Sequence, residues 1–379
     1  DTAARDSYYY FMRSLRRTRV SLILLFLSGA GVPLIPVFSQ WNFSAEPNFS
    51  LLTGHSTYVL ETADVKSELE FPLDTLLAGF LVKFSHDGAL GTEGERGGGR
   101  GGQMRGARES TWEFTLSGAT NLTAPWGTMK DHDWIRYAGY PDIKFSYTES
   151  DAEMRYYSVA VEASKSVGRG AGRGSFDLRL LGSYRYQYMH QEIDNFEGWQ
   201  YDLIDPSYGD YGAYELQLQS MDNTPALDYR LSFHRLGAGL SLGRPFGSGF
   251  EASGDFRIEG VYAYDRDDHI LRKKLSTASG FGIGIAASLR GVFELDEAAA
   301  GGGAAPGGGT SARGENGPIP YVAIGSEYSY LYVPAEQTQE WYGDDQATAA
   351  DDTGTVISGL SHVITSSQFV ITLSAGLRY

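Results

Sequence analysis

Two short acidic segments hold the residues whose types and spacing suit hydrolytic chemistry. They are Met129–Trp134, which reads MKDHDW, and Tyr264–His269, which reads YDRDDH. Alternate side chains of an extended segment share a face, so Asp131 and Asp133 would stand roughly 6 to 7 Å apart on one face. Asp267 and His269 have the same spacing. A histidine base beside a carboxylate, facing an acid couple, is what hydrolysis by activated water requires.

The chemistry of these segments is expected to rest on oxygen and nitrogen side chains alone. Close carboxylates raise at least one pKa, which predicts a proton shared between Asp131 and Asp133. The chain has no cysteine, which excludes a thiolate metal site and a cysteine nucleophile. We expect no metal at Asp131, His132, Asp133 and His269, because a fixed His-x-x-x-His spacing is missing, and no cofactor. The alternative interpretation is that both segments are solvated acidic loops.

Composition limits the classes of protein to which the chain can belong. It has 379 residues, 31 Lys plus Arg against 47 Asp plus Glu, a net charge of -16 and 13% aromatic residues. A mean hydropathy of -0.28 is too low for a bundle of membrane helices. The negative charge argues against nucleic acid as a partner, because phosphate backbones repel it.

The first 39 residues have the pattern of a secretory signal peptide. Arg13, Arg16, Arg17 and Arg19 precede an apolar run over residues 20–37, and Ser39 ends the segment. The small or tolerated residues that precede the predicted cleavage site fit a signal peptide that is removed. Pro and Gly within the apolar run suit a membrane anchor poorly. We therefore predict a signal peptide at 1–39, with an upstream extension if Met12 is the first residue, and a mature domain at 40–379.

The mature chain shows period-two alternation of apolar and polar residues, which predicts strands. Residues 175–188 alternate almost throughout, longer than the five or six residues usual in soluble sheets. Strands that cross a membrane at a tilt need about nine to eleven residues. We predict an all-β, transmembrane antiparallel barrel of about ten strands, near 48–61, 66–86, 110–122, 143–167, 175–193, 226–245, 249–266, 277–295, 319–333 and 358–379.

The predicted connections differ between the two ends of the barrel. Gly-rich connections, longest at 87–109 and 296–317, are assigned to the periplasmic end. An alternative is that these two stretches link separate domains. The connections at 62–65, 123–142, 194–225, 267–276 and 334–357 carry Asp, Trp and Tyr, so function is expected at this extracellular end. The basic group Arg272, Lys273 and Lys274 is open to two interpretations, contact with anionic lipid or a loop charge cluster.

The chain ends in an alternating segment with a terminal aromatic residue, Phe369–Tyr379. This ending is similar to the C-terminal insertion signal of bacterial outer-membrane barrels. It predicts recognition of Tyr379 by the barrel-assembly machinery and location in the outer membrane.

The two acidic segments resemble the motifs of omptins, the ten-stranded outer-membrane proteases. Residues 128–134 look like that family's Asp-x-Asp-Trp loop, and residues 265–269 resemble its Asp-x-Asp-Glu-His, in the same order along the chain. The resemblance implies that Asp131 and Asp133 form the carboxylate couple and that Asp267 and His269 activate water. It also implies that Asp265 reads a basic substrate side chain and that lipopolysaccharide is needed for activity.

The chain departs from the omptin pattern in the first strand. The family has a Glu near the top of this strand, whereas residues 55–59 offer Tyr58 and no acid. The function expected is an outer-membrane endopeptidase that cleaves cationic peptides or proteins, with its site facing outside. The alternatives are a non-catalytic barrel, which would be a pore or a structural or adhesive protein, and a protein that binds cationic ligands without turnover.

Overall fold

A computed structural model describes residues 41–88, 110–136, 142–169, 175–203, 214–222, 224–246, 249–295, 318–344 and 351–378. All of its regular structure is β-strand, and the described residues contain no helix long and apolar enough to span a membrane. The predicted signal peptide, the two longest predicted Gly-rich connections apart from residues 87 and 88, and Tyr379 lie outside the described residues.

Thirteen strand segments follow the chain in order. They are β1 Trp41–Glu61, β2 Val65–Pro72, β3 Thr75–Gly88, β4 Ser110–Asn121, β5 Met129–Ile135, β6 Ile143–Arg169, β7 Asp177–Leu203, β8 Tyr214–Met221, β9 Leu227–Pro245, β10 Phe250–His269, β11 Lys274–Glu294, β12 Ile319–Trp341 and β13 Val356–Arg378.

These segments form one sheet that closes as a ring of ten strand positions. Hydrogen-bonded neighbours follow the order β2-β5-β6-β4-β3-β1-β13-β12-β11-β10-β9-β7-β8, with further pairings of β2 with β1 and β6 with β7. β2 and β3 both border β1, β4 and β5 both border β6, and β8 and β9 both border β7. Each of these pairs shares one position in the ring, so the predicted ten-stranded antiparallel barrel is confirmed.

The strands extend further than predicted at the end that carries the acidic segments. The prediction of a connection over 123–142 was wrong, because β5 occupies Met129–Ile135. Residues 66–86 are two strands with a break after Pro72, and β7, β8, β12 and β13 extend into the predicted connections 194–225 and 334–357. Backbone pairing between neighbouring strands drives this extension, and single-segment alternation does not reveal it.

An apolar band surrounds the part of the barrel between its two ends. It is formed by outward side chains such as Leu236, Ile258, Phe281, Ile283, Leu289 and Leu373, each at least 62% exposed. Exposure of so many large apolar side chains is the signature of a lipid-facing surface. The rings of Tyr262 and Phe281 are 4.9 Å apart at one edge of this band. β10 continues beyond Tyr262 to His269, which places its acidic segment outside the membrane-spanning part.

The lumen is crossed by ion pairs at the level of this band. Arg235 is 1% exposed, and its Nε donates to Glu259 Oε2 at 2.7 Å. Arg185 and Arg257 both donate to Glu327 from different strands. A cavity of about 1370 Å³ lies on the far side, lined by residues that include Asp177 and Phe246 near the opposite end of the barrel. Charged side chains therefore fill the cross-section, as in barrels of this size.

Glu259→Ala tests the contribution of the buried pair to stability. It leaves Arg235 buried without its counter-charge, and we expect the free energy of unfolding to fall by about 3 to 5 kcal/mol. Urea titration of the barrel in lipid vesicles measures this. The matched control is Glu251→Ala, because the Glu251 side chain is 50% exposed and 3.9 Å from Arg378. Equal stability of the two variants would contradict a stabilising role for the pair.

Candidate active site

The hairpin of β10 and β11 places the second acidic segment on the inner face of the barrel. His269 pairs with Lys274, and Asp267 pairs with Ser276, across a turn in which Lys273 has a φ of 45°. Alternate residues of β10 face inward, so Asp265, Asp267 and His269 lie in one row. Asp265 and Asp267 are each 1% exposed, and the His269 side chain is 17% exposed. The alternate positions of these three residues in the sequence therefore place their side chains on one continuous face of the strand.

Asp267 and His269 form a direct pair, and Tyr58 from β1 completes it. His269 Nε2 lies 2.8 Å from Asp267 Oδ2. The Tyr58 hydroxyl donates a hydrogen bond to the same carboxylate oxygen and lies 3.4 Å from His269 Nε2. Burial alone would raise the pKa of Asp267, but the nearby His269 and the bonds from His269 and Tyr58 outweigh it and lower that pKa. Asp267 is therefore an anion with fixed partners.

Asp131 and Asp133 come from β5 and face the same lumen. Asp133 is 7% exposed and accepts a hydrogen bond of 2.7 Å from the Ser146 hydroxyl on β6. Burial, reinforced by the neighbouring Asp133, raises the pKa of Asp131 to about 8. At neutral pH the couple consequently holds a proton on Asp131. Both side chains share a face, as extended geometry requires.

The two acidic segments act on each other across the mouth, which we define as the space between the inner faces of β5 and β10. The charge of Asp267 contributes to the raised pKa of Asp131. Asp131 Oδ1 and Asp267 Oδ1 are both buried, and neither accepts a hydrogen bond from the described part of the chain. Two strand ends that are distant in sequence thus present unused acceptor atoms within the same enclosed region.

Asp265 lies deeper in the same row and is fully engaged by the protein itself. Its Oδ2 is 2.9 Å from His362 Nε2 of β13, and its Oδ1 accepts a hydrogen bond of 3.0 Å from the Ala278 amide. The Tyr229 hydroxyl is 3.4 Å from Oδ2. His362 is 1% exposed. The carboxylate to which the omptin resemblance assigns the reading of a substrate cation therefore already bonds to an internal histidine.

An aromatic cluster supports the floor of the mouth. The rings of Phe71 and Tyr229 stack with centroids 4.1 Å apart and planes 9° from parallel. Tyr58 packs against both rings and against His362, at centroid distances between 5.0 and 6.0 Å. This packing fixes the ring of Tyr58, and hence the position of the hydroxyl that contacts Asp267.

Burial also controls the protonation of His269. Desolvation lowers the pKa of His269, Asp267 opposes this effect, and the cations Lys274 and Arg272 add to it. The imidazole is consequently neutral at neutral pH, the form that can accept a proton. Among the described residues, no group of three or more His, Asp or Glu side chains is arranged to hold a metal ion.

Comparisons with known proteins identify the fold. No protein-family model matches the sequence, and no curated protein sequence matches it. The chain is similar to the outer membrane protease OmpT from Escherichia coli, with a TM-score of 0.58 and 13% identity, covering 89% of this chain and 96% of that one. The chain is also similar to the translocator domain of the autotransporter NalP from Neisseria meningitidis, with a TM-score of 0.27 and 9% identity, covering 97% of this chain and 98% of that one.

The ring of ten strand positions and the apolar band define the class of the protein, which is an outer-membrane β-barrel. More particularly, its fold is that of the omptin protease structure from Escherichia coli. At 13% identity this similarity shows the fold alone.

Several residues of the mouth were missed by sequence reasoning. Tyr58 was noted only because residues 55–59 contain it and no acidic residue. The inward alternation along β1 nevertheless directs it into the lumen. Ser146 and His362 carry no local motif, and only strand pairing brings them to Asp133 and Asp265. Neither interpretation of the basic turn foresaw that Lys274 faces the lumen, where it is 8% exposed. Continuing the period of two across the hairpin would have suggested it.

Tyr58→Phe tests the place of Tyr58 in the site. The variant removes a donor from Asp267, so more of the carboxylate charge acts on His269, and we expect the pKa of His269 to rise by about half a unit or more. NMR titration of histidine-labelled barrel in detergent measures this change. The control is Tyr342→Phe, which removes a hydroxyl bonded at 2.9 Å to the neighbouring but more exposed Asp268. Coincident His269 titrations in Tyr58→Phe and wild type would contradict the assignment.

Proposed function

We propose that this protein is an outer-membrane endopeptidase of omptin type that uses a water nucleophile and no cofactor. The observation that carries the proposal is the convergence of a neutral histidine paired with a buried carboxylate and a proton-bearing carboxylate couple on one mouth. The other histidine–carboxylate pair described at this end of the lumen, His362 with Asp265, lies deeper, and each of its residues is only 1% exposed. The OmpT-like fold is consistent with this function.

The proposed mechanism assigns opposite roles to the two pairs. Water between them loses a proton to His269, and Asp267 holds the imidazole and favours its charged form. Because Nε2 bonds to Asp267, Nδ1 is the nitrogen that takes the proton. Asp131 and Asp133 orient the water, and the proton on Asp131 stabilises the developing oxyanion and then passes to the leaving amine.

The proposed substrates are cationic peptides or proteins. The net charge of -16 favours their encounter by electrostatic steering, an effect that weakens with added salt. A contact between Asp265 and a basic side chain of the substrate requires displacement of His362 from Oδ2. We therefore propose that attraction to the acidic mouth contributes more to selection than a dedicated pocket at Asp265.

We further propose that lipid and lipopolysaccharide bind the outer wall, with the active site facing the cell exterior. Lys66 Nζ lies 4.4 Å from the ring centroid of Trp134, and Lys144 Nζ lies 4.4 Å from that of Tyr147. These outward cations above the apolar band suit anionic headgroups. Insertion through the barrel-assembly machinery with Tyr379 as its signal belongs to the same proposal.

Two non-catalytic alternatives, a pore and a protein that binds cationic ligands, predict different experimental results. A pore would need an open lumen, whereas Arg185, Arg235 and their partners cross it. Conductance in planar bilayers without peptidase activity would nevertheless favour a pore. A protein that only binds cationic ligands would keep its affinity after substitution of His269 and lose it after substitution of Asp265.

His269→Ala is the direct test of the proposed base. We expect cleavage of a basic peptide by barrel reconstituted with lipopolysaccharide to fall at least about a hundredfold, because general-base catalysis is lost. The heat-modifiable gel mobility of the folded barrel should persist. His55→Ala serves as the control, since His55 is on the exposed outer side of β1. Unchanged turnover in folded His269→Ala would remove the protease proposal.

The pH dependence of kcat/KM is a second test. The rate should rise with pH as His269 loses its proton, with a midpoint below that of an ordinary histidine, because burial lowers the pKa of His269. It should fall as Asp131 loses its proton, with a midpoint near pH 8. With a peptide substrate whose own groups do not titrate in this range, the pH profile reports ionisation of the enzyme alone. A rate that stays constant to pH 10 would contradict the role of a protonated Asp131.

A further inference from the structure

Lys274 is a buried cation at the mouth with no role in the mechanism described so far. It is the first residue of β11 and pairs with His269 across the hairpin. Its side chain faces inward in the same alternation as Ser276 and Ala278, and it is 8% exposed. Its Nζ lies 5.7 Å from the ring centroid of Trp341. Lysine is rarely buried unless a function or a counter-charge retains it.

The negative charges of the mouth explain where this cation acts. Asp267 is hydrogen-bonded to His269, and Asp265 to His362, at 2.8 and 2.9 Å. Asp133 accepts a bond only from the neutral Ser146, and Asp131 Oδ1 has no partner in the described part of the chain. Lys130, next to the couple in sequence, faces away and pairs with Glu70 at 2.9 Å. The couple therefore has no cation of its own strand to oppose it.

Lys274 is within electrostatic reach of both halves of the site. Burial and the nearby Arg272 lower the pKa of Lys274, while Asp267, Asp133 and Asp131 favour its charged form. Arg272 acts on the same groups but is exposed, so solvent screens it more strongly. Among the described residues, further titratable or charged groups around the mouth are Tyr58 on β1, Tyr229 on β9 and the Asp265–His362 pair between β10 and β13.

We propose that Lys274 is a positioning residue of this site, supplying the buried positive charge that lets the carboxylate couple and the Asp267–His269 pair face each other across one water. Without it, several carboxylates would converge with no buried cation from the described part of the chain between them. His269 would then be drawn into its charged form and could not act as a base. This inference rests on the proposed function for its catalytic meaning, whereas the charge relationship itself can be measured without catalysis.

Lys274→Met tests the inference because it keeps the length of the side chain and removes its charge. We expect the acidic limb of the pH profile to move upward by about one unit, which lowers kcat at pH 7 by about two- to threefold with little change in KM. The pKa of His269, followed by NMR in the same variant, should rise by a similar amount. Lys274→Arg should keep the wild-type profile.

The matched control is Lys273→Met, since Lys273 lies in the adjacent turn and its Nζ donates to the Asp344 carbonyl at 3.0 Å. Gel mobility confirms that each variant is folded. Coincident His269 titrations in Lys274→Met and wild type, or an equal defect in folded Lys274→Arg and Lys274→Met, would overturn the inference. If the wild type cleaves no peptide, the proposed function fails, and the His269 titration alone still decides whether Lys274 sets the charge of the mouth.

Discussion

The pairing of buried carboxylates is the constraint on which the mouth of this barrel depends. Asp267 is 1% exposed and is kept anionic by partners, of which His269 and Tyr58 both contact one of its oxygens. A carboxylate removed from water without such partners would take up a proton. Asp131 Oδ1 has no such partner in the described part of the chain, and burial raises the pKa of Asp131 to about 8. The same burial thus produces an anion on one side of the mouth and an acid on the other.

The barrel below the mouth makes this arrangement possible. Ten strand positions enclose a lumen narrow enough for side chains from opposite walls to meet, and His362 reaches Asp265 across it. Ion pairs such as Arg235 with Glu259 fill the membrane-level cross-section and support the layers above. Extension of the strands beyond the apolar band places the acidic segments on rigid paired backbone. Such backbone holds side chains more accurately than a mobile loop does.

The sequence predicted those features that depend on short-range pattern. Alternation predicted the strands and the common face of Asp131 and Asp133, because the pleat repeats every two residues. It could not predict that Met129–Ile135 is itself a strand, since this depends on pairing with β2 and β6. The contacts of Tyr58 with Asp267 and of His362 with Asp265 join residues 209 and 97 positions apart. Only closure of the ring determines such partners.

The central claim is that the couple and the histidine pair face each other over a single water. A high-resolution crystal structure of the lipid-embedded barrel tests it most directly, through the separation between the nearest Asp131 or Asp133 oxygen and His269 Nδ1. One bridging water allows at most about 5.6 Å, which is two hydrogen bonds of ordinary length, and we predict a water within reach of both groups. A separation well beyond this, or an imidazole directed toward lipid, would contradict the account.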